Sequence, residues 1–296
     1  MKQVTLSQGT IRYREIGLGP TVVFVHGFLV DHSLWDGAVA ELSTTHRCIV
    51  PDWPMGSHHL PMNPDADLSP SGMARIVADF LAELDLRDVT LVGNDSGGAI
   101  CQITAANHPL RIGRVVLTPC DAYEVFPPRL FGYLKWLVRI PGAIFAMARL
   151  MRAFTPVMRT PIAYGWAAKK RIASETLRAW VTPLAHSARI RRDVKKFALG
   201  LDPRFTLEAA EVLRSSSIPV LLVWAAEKTF FPLRLAERLA RELPDAKLVL
   251  VAGAGAFLPM DQPERLADEI SRYSSQAQPG SVRQENSNEM HVSPHA

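Results

Sequence analysis

The 296-residue sequence predicts an α/β protein with a mostly parallel β-sheet flanked by helices. Two observations predict this class. Short β-rich runs alternate with amphipathic segments along most of the chain, which is the pattern of repeated strand–helix–strand units. The alternation stops once, between about residues 121 and 214, where helical segments punctuated by prolines replace it. The sheet is therefore expected to be interrupted by one helical insertion.

The predicted strands follow one another in the order expected for such a sheet. The third strand, at residues 21–25, is an uninterrupted apolar run suited to a buried parallel sheet. A helix is predicted at about residues 71–84, between the fourth and fifth strands. The eight predicted strands cover residues 4–6, 11–14, 21–25, 47–50, 89–92, 114–118, 220–224 and 247–251.

The insertion divides the chain into segments. Residues 1–120 and 215–275 are predicted to form the two parts of the core, and residues 121–214 a helical cap inserted after the sixth strand. Such a cap would lie over the carboxyl ends of the strands, where open α/β sheets bind ligands. Residues 276–296 are rich in Ser, Gln, Asn and Pro and are predicted to be a disordered tail.

Composition narrows the class of protein further. With 48% apolar and 21% charged residues, the chain is typical of soluble globular proteins. Its three cysteines, Cys48, Cys101 and Cys120, are too few and too scattered for a disulfide framework or a zinc site. The sequence shows neither a signal-peptide pattern nor an apolar run long enough for a membrane span. We expect a cytoplasmic protein, a monomer or homodimer, that binds no metal and no cofactor.

The formal charge of +4 hides an asymmetry between two parts of the chain. Residues 125–174 contain nine basic and no acidic residues, whereas the remainder contains 24 basic and 29 acidic residues. Nucleic-acid binding is not favoured, because no binding motif accompanies the charge. Solvated arginines on an amphipathic cap explain the pattern most simply. An anionic substrate, or contact of the basic cap with a membrane surface, is the alternative.

The most informative segment is Gly93-Asn-Asp95-Ser96-Gly97, which joins the fifth strand to a predicted helix. A nucleophile elbow needs small residues two positions before and two positions after the nucleophile, because its turn is tight and strained. Gly93 and Gly97 bracket Asp95, not Ser96. Asp95 is therefore the predicted nucleophile, and a carboxylate there can form an ester with carbon. The simpler alternative is that Asp95 only caps the following helix.

Together with four further motifs, this segment resembles the α/β-hydrolase superfamily, and within it the aspartate-nucleophile branch of epoxide hydrolases and haloalkane dehalogenases. The similarity extends over about residues 10–273. It implies the α/β-hydrolase fold, a small-molecule substrate, and an oxyanion hole formed by the backbone N–H groups of Phe28 and Ser96. The four motifs are Val25-His-Gly-Phe28, Pro51-Asp52, residues 218–224 ahead of Phe230-Phe-Pro232, and Phe257-Leu-Pro-Met-Asp-Gln-Pro-Glu264.

The chain departs from this family at the acid of the catalytic triad. Lys228 stands where the resemblance places the acid after the seventh strand, and Glu227 lies one position earlier. In some relatives the acid follows the sixth strand, and Asp121 is near that place but offset by about two residues. Asp121 and Glu227 are both candidates for the acid, and either could equally be a solvated surface group.

The histidine of the triad is also missing. The family motif resembles Gly-x-Gly-His-Phe, and this chain reads Gly253-Ala-Gly-Ala256-Phe257. Alanine cannot accept a proton, and general-base help of that kind contributes about 10²–10⁴-fold. An ester on Asp95 is therefore expected to form but to hydrolyse slowly unless another base replaces the histidine.

Other side chains could complete the site. His58 and His59 lie on a loop that leaves the fourth strand and could face the pocket, although a solvent-facing loop is the alternative. Epoxide hydrolases use cap tyrosines to protonate the opening ring, and Tyr123, Tyr133 and Tyr164 all fall in the cap segment. An aromatic side chain in an apolar cap can also be simply packed.

Three functions are consistent with these residues. The first is hydrolysis of a small, largely apolar substrate through an Asp95 ester, as in epoxide hydrolases. Halide cleavage is disfavoured, because Ser96 and Phe28 stand where dehalogenases commonly hold the halide. The second is a non-hydrolytic lyase, isomerase or cyclase that uses Asp95 as acid or base. The third is a catalytically degenerate relative that binds an apolar ligand.

Overall fold

The computed structural model describes residues 1–274, which contain a single eight-stranded sheet. The strand order is β1-β2-β4-β3-β5-β6-β7-β8, with β2 antiparallel to both of its neighbours and every other pair parallel. The predicted fold class and number of strands are confirmed. The strands are β1 (Lys2–Leu6), β2 (Gly9–Ile16), β3 (Thr21–Val25), β4 (Arg47–Pro51), β5 (Val89–Asp95), β6 (Ile112–Cys120), β7 (Val220–Ala225) and β8 (Ala246–Val251).

Helices connect these strands and cover both faces of the sheet. The predicted helix at 71–84 is observed one residue earlier, because Ser69 caps its first turn by accepting a hydrogen bond from the Gly72 N–H at 3.2 Å. The α-helices are α1 (Asp36–Leu42), α2 (Pro70–Glu83), α3 (Ser96–Asn107), α4 (Leu134–Leu137), α5 (Ala143–Ala153), α6 (Ser174–His186), α7 (Ala188–Gly200), α8 (Pro203–Leu213), α9 (Leu233–Glu242), α10 (Leu258–Asp261) and α11 (Pro263–Ser274).

The core lies in two layers, one on each face of the sheet. Successive side chains of a strand point to opposite faces, and β3 shows this directly. Its Val23 and Val25 pack with residues of α2 and α3, whereas Val22 and Phe24 pack with residues of α1 and α11. A strand that is buried on both faces must be apolar throughout, which explains its uninterrupted run of apolar residues.

The segment between β6 and β7 contains α4, α5, α6, α7 and α8. Helices α5 and α6 pack against each other and, with part of α7, enclose a small apolar cluster of their own, which includes Ile144, Leu184 and Val194. Helix α8 instead packs against α3, so its apolar face joins the core of the sheet. The predicted disordered tail, residues 276–296, lies outside the described residues. None of the helices within residues 1–274 has the length and hydrophobicity that crossing a bilayer would require.

Candidate active site

The turn between β5 and α3 has the geometry of a nucleophile elbow. Asp95 has φ +55° and ψ −135°, a conformation that residues with a side chain rarely adopt. A Cβ on Gly93 would lie 2.7 Å from the Cα of Gly98, and one on Gly97 would lie 2.2 Å from the carbonyl oxygen of Val25. Both positions therefore require glycine. The Asp95 side chain does not cap α3 in the usual way, by accepting a hydrogen bond from the second or third residue of the helix.

Two backbone N–H groups hold the Asp95 carboxylate. The N–H groups of Ser96 and Phe28 both hydrogen-bond to it, and these are the groups predicted to form an oxyanion hole. A Cβ on Gly27 would lie 2.2 Å from Asp95 Oδ2, so only glycine there leaves room for the carboxylate. Burial raises the pKa of Asp95 to about 7, and the two N–H donors oppose that rise. Near neutral pH the group is thus balanced between carboxylate and acid.

Asp121 is a second carboxyl group beside the first. It follows directly after β6, and its backbone N–H lies 3.4 Å from the Asp95 carbonyl oxygen. The side chain is fully buried. Burial, followed by the charge of Asp95, raises the pKa of Asp121 well above its ordinary range, while Ser96 acts in the opposite direction. Asp121 therefore keeps its proton while Asp95 ionises.

The Asp95 carboxylate faces a cavity that is closed on its other sides by residues of the segment between β6 and β7. The walls are almost wholly apolar, and the side chains with polar atoms are Asp95, Ser96, Tyr133 and Tyr164. Such a cavity suits a largely apolar ligand that approaches one reactive carboxylate. The apolar lining residues include Phe28, Leu29, Pro127, Pro128, Phe131, Leu134, Met147, Ala148, Met151, Ile162, Val181, Leu184, Leu201, Phe230 and Phe257.

Two of the three predicted cap tyrosines line this cavity. The Tyr164 hydroxyl donates to the Leu29 carbonyl at 2.7 Å, and the Tyr133 hydroxyl donates to the Ile162 carbonyl at 2.7 Å. Burial raises the pKa of both phenols, so both are neutral donors at neutral pH. Tyr123 lies elsewhere: its backbone turns at φ +51°, and its hydroxyl donates to Glu242 at 3.1 Å.

The two loop histidines are not among the residues that line the cavity. His58 is buried against the cap, with Nε2 3.3 Å from Asp193 Oδ2, so it joins the loop after β4 to α7. His59 is exposed to solvent. Within residues 1–274, none of the residues that line the cavity is a histidine.

The loop after β8 keeps a well-anchored backbone around Ala256. Ala256 is fully buried, and its carbonyl accepts a hydrogen bond from Asn94 Nδ2 at 2.8 Å. Asp261 accepts from the Gly255 N–H at 2.7 Å and also from two N–H groups of the cap, those of Lys169 and Lys170. The loop is thus fixed to the elbow on one side and to the cap on the other.

Glu227 supports the same loop and does not contact the cavity. Its Oε1 accepts from the Gly253 N–H at 2.7 Å, and its carboxylate lies 3.9 Å from the Lys169 ammonium. Lys228, at the position where the resemblance places an acid, is exposed. The structure thus brings Asp95, Phe28, Ser96, Asp121, Tyr133 and Tyr164 into one region, and it leaves Glu227, His58, His59 and Tyr123 outside the cavity.

Three residues that contribute to the site, Asn94, Met147 and Met151, are not predicted from the sequence. Asn94, between Gly93 and Asp95, donates to Thr118 Oγ1, the Pro119 carbonyl and the Ala256 carbonyl at 2.8–3.0 Å, and so ties the elbow to β6 and to the loop after β8. Met147 and Met151 line the cavity from α5. Their spacing of four residues on an amphipathic helix is a signal that could have placed them together.

Known proteins with similar sequences include two enzymes of different named activities. Haloalkane dehalogenase 2 of Mycobacterium bovis is 27% identical over 288 residues, which cover 89% of this chain and 91% of the dehalogenase. A cis-3-alkyl-4-alkyloxetan-2-one decarboxylase of Shewanella oneidensis is 23% identical over 277 residues, which cover 90% of this chain and 86% of the decarboxylase.

Among solved structures, a thermophilic esterase from Thermogutta terrifontis superposes with a TM-score of 0.71 at 22% identity. The match covers 92% of this chain and 98% of the esterase, and at that identity it supports the fold alone. A family model described as the alpha/beta hydrolase family matches residues 22–269. Because this model covers most of the chain, the chain belongs to the alpha/beta hydrolase family.

Proposed function

We propose that this protein is a hydrolase that attacks a small, largely apolar electrophile with the Asp95 carboxylate, in the manner of an epoxide hydrolase. One observation carries the proposal. Asp95, and not Ser96, occupies the strained position of the elbow, with its carboxylate held by two N–H donors and directed into an apolar cavity. A carboxylate held in this way can act as a nucleophile on carbon.

The first step forms an ester on the protein. An Asp95 oxygen bonds to a ring carbon of the epoxide, and the bond from that carbon to the ring oxygen breaks. The ring oxygen takes up a proton, for which the neutral hydroxyl groups of Tyr133 and Tyr164 are the donors at the cavity wall. The second Asp95 oxygen stays within reach of the N–H groups of Phe28 and Ser96.

The second step hydrolyses the ester, and here Asp121 is the candidate base. Esterification removes the negative charge of Asp95, which is one of the two causes that raise the pKa of Asp121. The pKa of Asp121 then falls, Asp121 releases its proton to water in the cavity, and the carboxylate left behind accepts a proton from the attacking water. Water adds to Cγ of Asp95, the diol leaves, and the carboxylate is restored. Because Asp121 is deeply buried, we expect this step to be slow.

An epoxide is favoured over a haloalkane as substrate class. Dehalogenases are among the relatives of the chain, but Ser96 and Phe28 occupy the positions at which the family resemblance places the halide-binding side chains. The Phe28 side chain has no polar donor for a halide. The cavity instead offers phenol hydroxyls, which suit an oxygen that gains a proton.

Isotope labelling tests the covalent step. The protein is incubated with an apolar epoxide in H₂¹⁸O for several turnovers, and peptides containing Asp95 are weighed. An ester intermediate predicts ¹⁸O in the Asp95 carboxylate, because water attacks Cγ. Product that carries the label while Asp95 stays unlabelled would show direct attack by water and overturn the proposal. If a broad panel of epoxides and alkyl halides gives neither product nor adduct, the ligand-binding alternative would replace it.

A second candidate is a non-hydrolytic lyase, isomerase or cyclase. It is favoured by the lack of histidine among the lining residues within residues 1–274, because such reactions need no activated water. Asp95 and Asp121 would then exchange a proton with the substrate. The relative from Shewanella oneidensis, named as an oxetanone decarboxylase, makes β-lactones the first compounds to try. A product without oxygen from labelled water would distinguish this candidate from a hydrolase.

A further inference from the structure

Exposed apolar side chains are concentrated on the cap. Eight of the sixteen large apolar side chains that are exposed within residues 1–274 fall between residues 133 and 166. Single exposed apolar residues are normal, whereas a contiguous group marks a surface that contacts something else. The eight are Tyr133, Trp136, Ile140, Phe145, Leu150, Phe154, Ile162 and Trp166.

We call five of these exposed residues the cap rim: Tyr133, Trp136, Leu150, Phe154 and Ile162. Tyr133 and Ile162 line the cavity and are also exposed, and a hydrogen bond of 2.7 Å joins them. Trp136 follows Tyr133 by three residues, with its N–H bonded to the Tyr133 carbonyl, and its side chain is 70% exposed.

Helix α5 carries the other part of the cap rim. Met147 and Met151 line the cavity, and Leu150, three residues after Met147 on the helix, is exposed. Phe154, which directly follows the last residue of α5, is exposed as well. Residues three apart are neighbours on a helix surface, so the apolar surface continues from Met147 in the cavity wall to Leu150 on the outside.

The segment of the chain that carries the cap rim has charged side chains of one sign. Residues 125–174 carry nine basic and no acidic residues, and the Arg139 guanidinium lies 5.1 Å from the centre of the Trp136 ring. Arg149 and Arg152 are exposed on α5 beside Leu150 and Phe154. Apolar side chains flanked by cations are the pattern of proteins that bind at the interface of anionic membranes.

We propose that the cap rim docks on an anionic lipid surface, so that the cavity opens toward the lipid and takes its apolar substrate from there. Pairing of two copies through the same face is disfavoured by charge. A two-fold interface would place the basic segment of one copy against that of the other, and like charges repel. The docking on lipid does not depend on the chemistry at Asp95, whereas the uptake of a substrate from the lipid rests on the proposed function.

Sedimentation with vesicles tests this docking on the full chain. Vesicles of phosphatidylcholine alone are compared with vesicles that also contain phosphatidylglycerol. We expect binding about tenfold or more tighter to the anionic vesicles, and a loss of most of that difference as salt is raised. Binding that is absent on both kinds of vesicle would overturn the proposal.

Two sets of substitutions separate the contributions of apolar and of charged side chains to vesicle binding. Trp136→Ser with Phe154→Ser is expected to weaken vesicle binding about tenfold or more, because two large apolar side chains no longer enter the lipid. The matched control is Leu18→Ser with Leu110→Ser, which removes two exposed apolar side chains far from the cap in sequence and should leave binding unchanged. Equal losses in both double variants would contradict a specific cap surface.

The charge variant replaces Arg129, Arg139, Arg149 and Arg152 by Gln. All four are exposed, and none forms an ion pair within residues 1–274, so the fold should tolerate the change. We expect the preference for anionic vesicles to fall about tenfold or more. Light scattering in solution serves as the second measurement for every variant. A dimer that the Trp136 and Phe154 substitutions dissociate would assign this face to a second copy and overturn the lipid assignment.

Discussion

Two loops at the carboxyl edge of the sheet differ in what they retain. The turn after β5 has the strained Asp95, the glycines that allow it, and the N–H donors at its carboxylate. The loop after β8 is anchored equally well, by Asp261, by Glu227 and by Asn94 of the elbow itself. Yet it presents only the methyl group of Ala256 where the resemblance places a histidine. The loop after β8 therefore keeps its backbone conformation although it lacks a side chain that can transfer a proton.

This difference between the two loops bears on the two steps of the proposed reaction, ester formation and ester hydrolysis. Ester formation needs a carboxylate nucleophile and a proton donor, and the cavity contains Asp95 with Tyr133 and Tyr164. Ester hydrolysis needs a base near Cγ of Asp95, and Asp121 is the buried group beside it. We therefore expect ester formation to be faster than ester hydrolysis.

Removal of the nucleophile should have the largest effect. Asp95→Asn keeps the shape of the side chain but removes its negative charge, so ester formation should fall by about 10³-fold or more. Ser96→Ala is the matched control, because Ser96 contributes its backbone N–H, and its rate should stay within about tenfold. The measurement is the rate of adduct appearance by intact-mass spectrometry. Loss of the reaction in Ser96→Ala alone would reverse the two roles.

Restoring an imidazole at the loop after β8 should accelerate the slow step. Ala256→His places a proton acceptor there, and breakdown of the ester should quicken by about 10²-fold. Because Ala256 is fully buried, the larger side chain should also cost about 1–3 kcal/mol of stability. Ala256→Gln is similar in size but lacks a base, and it should show the destabilisation without the acceleration. Equal breakdown rates in both variants would contradict the inference that the missing histidine makes ester hydrolysis slow.

Asp121→Asn tests the candidate base. The ester should still form at a rate within about threefold of wild type, while its breakdown slows by about 10–100-fold. Chase experiments with preformed adduct separate the two rates. A variant that hydrolyses the adduct as fast as wild type would remove Asp121 from the second step.

The pH dependence of ester formation reports the ionisation of Asp95. Its raised pKa of about 7 means that the carboxylate form grows as pH rises through 7. The rate should therefore rise about tenfold per pH unit below that value and level off above it. A rate that falls as pH rises would mean that protonated Asp95 acts as an acid, as in the non-hydrolytic candidate.

The smallest predicted effect is on thermal stability. The pKa of Asp95 is higher in the folded chain than in an unfolded one, so folding favours its protonated form. Stability is lost as pH rises from about 4 to about 7, and Asp95→Asn should restore it. We expect the Tm to rise by about 2–6 °C at pH 8 and to be unchanged near pH 4. Glu83→Gln, an exposed carboxylate on α2, should show no such difference.

The fold and the elbow could be read from sequence because each depends on local patterns. Buried strands are apolar runs, and the spacing of Gly93 and Gly97 around Asp95 follows from the sterics of one tight turn. The proximity of Asp95 and Asp121, in contrast, does not follow from a local sequence pattern. A register shift between Gly93 and Asp95 aligns Asp95 with Cys120 of β6, and this brings Asp121 beside the elbow. No pattern of residue types in the sequence predicts that register shift.

The side chains that fall outside the cavity were also beyond sequence reasoning. Tyr123 lies in the cap segment, but its positive φ directs the ring toward Arg238 of α9, whose guanidinium lies 3.7 Å from the ring centre. His58 turns toward Asp193, which is 135 residues away in the sequence. Both outcomes depend on partners from distant segments, and a single sequence without its contacts does not contain that information.

Peptide-level mapping of the covalent adduct shows directly whether Asp95 is the nucleophile. The protein is incubated with a reactive apolar epoxide, quenched and digested, and the modified residue is located by fragmentation mass spectrometry. The account predicts a single ester on Asp95, present in wild type and Ser96→Ala and absent in Asp95→Asn. An adduct on Ser96, or modification of Asp95→Asn to the same extent as wild type, would contradict it.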